Sequence, residues 1–183
     1  LRTGKTYEAE WIADVMEPYA EIRYQNGDIY KGEVMNFQRH GKGLMIYKSG
    51  EKYEGEFIND LYNGMGKYTW ATGEEYEGDF KYSQRNGFGR MKFNTGIVFE
   101  GNWKNDKQEG EGIRLLKNGD RWVGNWRKGV LQQKAKMEYL NGNVFTGILR
   151  NYKRHGKGTL LLVTGDKCEG RWKKDILIKT QIT

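Results

Sequence analysis

Tyr53-Glu-Gly55-Glu-Phe57-Ile-Asn-Asp-Leu-Tyr-Asn63-Gly64-Met-Gly66-Lys-Tyr-Thr-Trp70-Ala-Thr-Gly73 is one unit of a repeat that decides the fold. Its last glycine belongs to the series Gly27, Gly50, Gly73, Gly96, Gly119, Gly142 and Gly165, spaced 23 residues apart. Tyr30, Tyr53, Tyr76, Phe99, Trp122 and Phe145 keep the same step, with Cys168 next in line. Two residues after each of these comes Gly32, Gly55, Gly78, Gly101, Gly124, Gly147 or Gly170. Val34, Phe57, Phe80, Trp103, Trp126, Leu149 and Trp172 follow two further on. A second glycine pair closes most units, as in Gly41/Gly43, Gly64/Gly66, Gly87/Gly89, Gly110/Gly112 and Gly156/Gly158. A fixed step of this length is the signature of a stacked repeat array.

Within a unit the apolar positions alternate. Tyr30, Gly32 and Val34 share one face while Lys31 and Glu33 point the other way, and Gly43, Met45 and Tyr47 repeat the pattern. Period two means strands. Asn26-Gly27, Ser49-Gly50, Asn118-Gly119 and Asn141-Gly142 read as two-residue type I′ turns between units. The other connection, Met35–Arg39, reads as longer and polar. A glycine facing a ring leaves a slot in which a neighbouring strand's ring can lie flat. A thin core of rings over glycines follows, without a second layer.

The predicted fold is all-β: a single-layer, elongated, twisted antiparallel sheet of tandem 23-residue β-hairpins. Two strands per hairpin give a length of about 70 Å. Residues 1–26 fit the frame in degenerate form. Gly4, Tyr7, Glu10, Trp11 and Tyr24 fall on repeat positions, and Ala9, Pro18 and Ala20 stand where glycines are expected. This is the pattern of an N-terminal capping repeat. Residues 27–172 hold six repeats plus the first strand of another, and 173–183 form a C-terminal cap or tail. The unit beginning at Gly119 departs, with Gln133 and Ala135 in place of Gly-x-Gly, so local backbone distortion is expected there.

The units Tyr53-Glu-Gly55-Glu-Phe57 … Asn63-Gly64-Met-Gly66 … Trp70 … Gly73 and Tyr30-Lys-Gly32-Glu-Val34 … His40-Gly41-Lys-Gly43 … Tyr47 resemble the MORN (membrane occupation and recognition nexus) repeat. The resemblance covers residues 4 to about 175. It implies a single-layer sheet of hairpins and a role as scaffold or interaction module in cytoskeletal, ciliary or membrane-associated proteins. It names no partner, because the shared residues are those that build the fold.

Composition supports a folded chain. Charged residues reach 30%, yet 25 residues are aromatic, and disordered segments are poor in aromatics. Glycine occurs 26 times and proline once, which points to fixed glycine positions rather than a flexible linker. Cys168 is the single cysteine and reads as a small packed residue in a reducing compartment. His40 and His155 occupy one position five repeats apart, too far apart to share a metal. No metal, cofactor or catalytic constellation is expected, so the chain reads as non-enzymatic. The acidic row Glu54, Glu77 and Glu100 reads as a solvated outer face.

Two candidate surfaces remain. The first is an aromatic groove lined by Tyr30, Phe57, Tyr76, Trp103, Trp122 and Trp126, in which a helix or extended peptide would complete the core. The second is a basic ladder, Lys81, Lys104, Arg127, Arg150 and Lys173, at one position in five consecutive repeats. Charge is uneven: residues 119–183 carry 14 Lys or Arg against 5 Asp or Glu, a net +9, while residues 1–118 carry −2. Such a segment attracts anions. The expected function is a scaffold in a cytoskeletal or ciliary (axonemal) assembly, cytoplasmic, with protein partners in the groove and acidic partners on the ladder. The alternative is a peripheral membrane module that binds anionic phospholipids. Nucleic acid fits less well, since the rings belong to the core. The alternating tail Ile176–Ile182 reads as an unpaired edge through which a homodimer could form.

Overall fold

The computed structural model describes residues 5–12 and 15–180. Among them the chain forms sixteen strands and no helix, in two compact units, Leu1–Asn94 and Thr95–Thr183. The first unit contains β1 (Lys5–Ile12), β2 (Val15–Tyr24), β3 (Ile29–Met35), β4 (Gln38–Ile46), β5 (Lys52–Ile58), β6 (Leu61–Thr69), β7 (Glu75–Lys81) and β8 (Gln84–Lys92). The second contains β9 (Val98–Lys104), β10 (Lys107–Leu115), β11 (Arg121–Arg127), β12 (Val130–Glu138), β13 (Val144–Arg150), β14 (Lys153–Leu161), β15 (Lys167–Lys173) and β16 (Ile176–Thr180). Within each unit every strand pairs antiparallel with the next, so each is one sheet of tandem hairpins. The all-β hairpin architecture read from the repeat is the one observed. The division at Asn94 has no sequence marker, because Gly96 keeps the 23-residue step. In the first hairpin Ala9 pairs Ala20 at the position that glycines hold elsewhere. Gly4 and Ile182 lie outside the described residues.

The two kinds of turn are exchanged relative to the sequence reading. The connection after β3 is the two-residue type I′ turn: Met35 pairs Gln38, and Asn36 and Phe37 have φ of 51° and 58°. Asn59-Asp60, Tyr82-Ser83, Asn105-Asp106, Asn151-Tyr152 and Lys174-Asp175 share this double left-handed conformation. The Asn26-Gly27 type is longer. Gly27 N donates to Tyr24 O (2.9 Å), Tyr24 N donates to Asp28 O (3.0 Å), and of the dipeptide only Gly27 is left-handed, at φ 93°. That is a type I turn closed by a glycine bulge, the usual three-residue hairpin loop. The Asn-Gly dipeptide suits both loops, which is why it misled.

The core lies on one face of each sheet, and the glycines make it. Gly32 pairs Gly43, and the Tyr30 ring lies over that pair. A Cβ on Gly112 would stand 2.6 Å from Phe99 Cζ. The ring therefore covers the glycines of its own hairpin rather than those of a neighbour. Rings then link repeats edge to face. Tyr30 meets Phe57 at 5.1 Å, Phe57 meets Tyr53 at 5.1 Å, Tyr53 meets Phe80 at 5.2 Å and Phe80 meets Tyr76 at 5.0 Å. Each such pair contributes about 0.5–1.5 kcal/mol beyond its buried area.

A second set of contacts locks successive hairpins at their turns. Asp60 N donates to Arg39 O (3.0 Å), and Asp60 Oδ1 accepts from Arg39 N (3.0 Å) and Nε (2.9 Å). Ser83 and Tyr62 repeat the backbone exchange one step along, as do Asp175 and Arg154. These turn residues thus carry both a strained backbone and the link to the preceding repeat.

The departing unit shows what the glycines do. Ala135 stands opposite Gly124, and its Cβ and the Leu131 side chain fill the slot. Trp122 is displaced outward, half-buried, and stacks on Tyr152 at 4.4 Å with an interplanar angle of 10°. Gln133 does not take the left-handed conformation of Gly41, Gly64, Gly87, Gly110 and Gly156.

Candidate functional site

The aromatic residues expected to line an open groove are core instead. Tyr30, Phe57, Tyr76, Trp103 and Trp126 are at most 5% exposed. Even their polar ends turn inward: Tyr30 Oη donates to Glu33 O (2.6 Å) and Tyr76 Oη to Asp79 O (3.0 Å). Side chains one strand away close over them. The Arg39 guanidinium lies 5.4 Å from the Phe57 ring centre, Arg85 5.7 Å from Tyr76, and Arg154 4.4 Å from Trp172. Sequence reasoning missed this lid because it treated the Arg39 position as loop. Trp122 alone of the six is half-exposed, and its buried Nε1 has no hydrogen-bond partner. Phe99 brings Trp103 (5.4 Å) and Trp126 (5.1 Å) together.

The five ladder cations are all exposed. Each ends the first strand of its hairpin and points away from the core face: Lys81 in the first unit, and Lys104, Arg127, Arg150 and Lys173 in the second. Lys81 Nζ lies 5.6 Å from the centre of the Tyr82 ring.

The opposite face of the first unit carries a cleft of about 500 Å3. Its floor is Gly32, Gly43 and Gly55, and its walls include Tyr19, Lys31, Lys42, Leu44, Glu54, Glu56 and Met65. Two cross-strand rows build it. In one, Lys31 pairs Leu44 and Leu44 pairs Glu54, and Lys31 Nζ meets Glu21 Oε2 at 2.7 Å. In the other, Tyr19 pairs Glu33, Lys42 pairs Glu56 and Met65 pairs Asp79. Two of the acids in this row serve the backbone: Glu33 Oε1 accepts from Lys42 N (2.9 Å), and Asp79 Oδ2 from Phe88 N (2.8 Å). Its exposed apolar wall residues are Tyr19 (61%) and Met65 (54%), beside the exposed charges of Lys42, Glu54 and Glu56, and Phe88 (55% exposed) lies on the next strand pair outside the lining. Met65 and Phe88 occupy the repeat position of Lys42, and that substitution on an otherwise polar face was the available signal.

No group of three or more metal-ligating side chains occurs among the described residues. Comparison with known families turns on the repeat itself. The model of the MORN repeat matches residues 30–52, 53–75, 76–98, 99–121 and 145–167. The chain belongs to the MORN repeat family. The MORN unit passed over, 122–144, is the one in which Ala135 replaces a glycine and Trp122 leaves the core. No curated protein sequence matches the chain. Among solved structures, this MORN array is similar to the TCP domain of Drosophila melanogaster SAS-4 in complex with a proline-rich motif of Ana2. The TM-score is 0.60 at 19% identity, over 92% of this chain and 90% of that one. The TCP10c domain of Drosophila melanogaster Sas-4 gives 0.56 at 19% identity, over 92% and 99%. At that identity the likeness is one of fold.

Proposed function

We propose that this MORN protein is a non-catalytic interaction scaffold of a cytoskeletal or ciliary assembly, and that the cleft of the first unit receives an extended segment of a partner protein. The observation that carries this is the cleft itself: exposed Tyr19 and Met65 above a glycine floor, on a face otherwise charged. Among the cleft's walls Tyr19 and Met65 give apolar side chains of an extended peptide a place to anchor, as in grooves that read proline-rich segments. The fold shared with a TCP domain that holds a proline-rich motif supports this reading.

Peptide-phage selection against the whole chain tests it. The expected outcome is a family of selected peptides whose affinity falls at least tenfold for Met65→Lys and for Tyr19→Ala. Phe37→Ser, on an exposed turn away from the cleft, should leave affinity unchanged. If the selection yields no peptide, or if the selected peptides bind Met65→Lys as well as the unaltered chain, the proposal fails.

A further inference from the structure

On the second unit the face opposite the core carries a run of cations in register. Lys134 on β12 faces Ile148 on β13, Lys157 on β14 faces Arg171 on β15, and Arg171 faces Lys179 on β16. Arg150 and Lys173 lie two residues beyond Ile148 and Arg171 on their strands, hence on the same face. All six cations are exposed, and none makes an ion pair among the described residues. Directly opposed like charges destabilise a sheet, and Lys157–Arg171–Lys179 contains two such pairs. The repeat does not impose them. At equivalent places in the first unit Lys42 faces Glu56 and Met65 faces Asp79. A row that works against its own sheet fits a surface whose neutralising charge comes from a partner.

We infer that this face docks an acidic polypeptide segment in extended conformation. Three features favour a polypeptide. Arg171 and Lys173 stand two residues apart on one strand, about 6.6 Å, which is also the spacing of alternate side chains in an extended chain. Carboxylates at every second residue of the segment meet both cations at once. Lys157, Arg171 and Lys179 stand in one line across β14, β15 and β16. A narrow row suits a single chain better than a flat bilayer. No ring stands free among the described residues of this face to stack a nucleobase: Tyr152, two residues past Arg150 in sequence, already stacks on Trp122 at 4.4 Å, and Phe145 and Trp172 are buried on the other face.

The test is anisotropy of a labelled oligoglutamate peptide titrated with the whole chain, with oligoglutamine as the neutral probe. Oligoglutamate is expected to bind more tightly than oligoglutamine, with affinity that falls as salt rises. Lys157→Glu is expected to weaken it at least tenfold and, by replacing a repulsive pair with an attractive one, to raise Tm. Lys117→Glu, on an exposed turn, should change neither. Met65→Lys should leave oligoglutamate binding intact, which separates this site from the cleft. Unchanged affinity in Lys157→Glu, a fall in its Tm, or equal binding of the two probes overturns the inference. So does tighter binding of phosphatidylserine vesicles or of an RNA oligomer that Lys157→Glu abolishes, since the face would then belong to a membrane or to nucleic acid.

Discussion

A glycine can be required for two reasons, and the chain separates them. Gly112 has ordinary backbone geometry, but a side chain there would meet the Phe99 ring at 2.6 Å. Gly73 has nothing within 4 Å of its would-be Cβ, but its φ is 85°. Gly112→Ala must push a buried ring off the pair of glycines beneath it, and overpacking of this kind costs about 3 kcal/mol. Gly73→Ala meets only the left-handed backbone, which costs about 1 kcal/mol. Chemical denaturation of the two variants should give that order, and the reverse order would show that the turn, not the slot, limits stability. The slot was legible in the sequence from the alternation of ring and glycine. Which hairpin's ring fills it was not, because period two assigns a face and not a direction along it.

At the scale of the element, the two-residue turns hold a local disagreement that can be relieved. The first turn residue is Asn36, Asn59, Asn105 or Asn151 in four hairpins, but Tyr82, Lys128 and Lys174 in three. All seven have φ between 48° and 52°. Asparagine tolerates that region, whereas a tyrosine does so only with strain. Tyr82 is 69% exposed, so little packing is lost on changing it. Tyr82→Asn is expected to stabilise the protein by about 0.5–1 kcal/mol, and Asn59→Tyr to destabilise it by a similar amount. Thermal melts decide it: equal Tm for Tyr82→Asn and the unaltered chain would mean the strain is already compensated. These turns escaped the sequence reading because most lack glycine. The dipeptide that carries glycine marks the other end of the hairpin. The lid over the rings went unseen for the same reason, since placing the turn correctly makes Arg39 a strand residue facing the core. The cleft was illegible for another: Tyr19, Leu44 and Met65 come together only when three hairpins are in register, and each alone is an unremarkable residue on a polar face.

At the scale of the whole molecule, the two units build the same hairpin from different rings. In the first unit tyrosines lie over the glycine pairs, and burial raises the hydroxyl pKa of Tyr30, Tyr53, Tyr62 and Tyr68 above the ordinary tyrosine value. Tyr62 is raised further by its hydrogen bond with Tyr47. In the second unit the matching rings are Phe99 and Phe145, which have no proton to lose, and Tyr139 is the residue there whose hydroxyl burial shifts upward. A pKa raised by folding means that the folded state favours the neutral ring. The associated stability is complete below about pH 10, where unfolded tyrosine is also neutral, and is lost as pH climbs from there toward the folded value. The loss concentrates in residues 1–94. Base should therefore open the first unit while the second still holds its fold. Limited proteolysis above about pH 10, with the cut sites mapped by mass spectrometry, should place the earliest cleavages within residues 1–94. Tyr53→Phe gives up the Oη bond to Glu56 O (2.9 Å) but should move the onset of those cleavages to higher pH. Cleavage that begins in residues 95–183, or an onset that Tyr53→Phe leaves in place, would show that the buried hydroxyls do not set the alkaline limit of this protein.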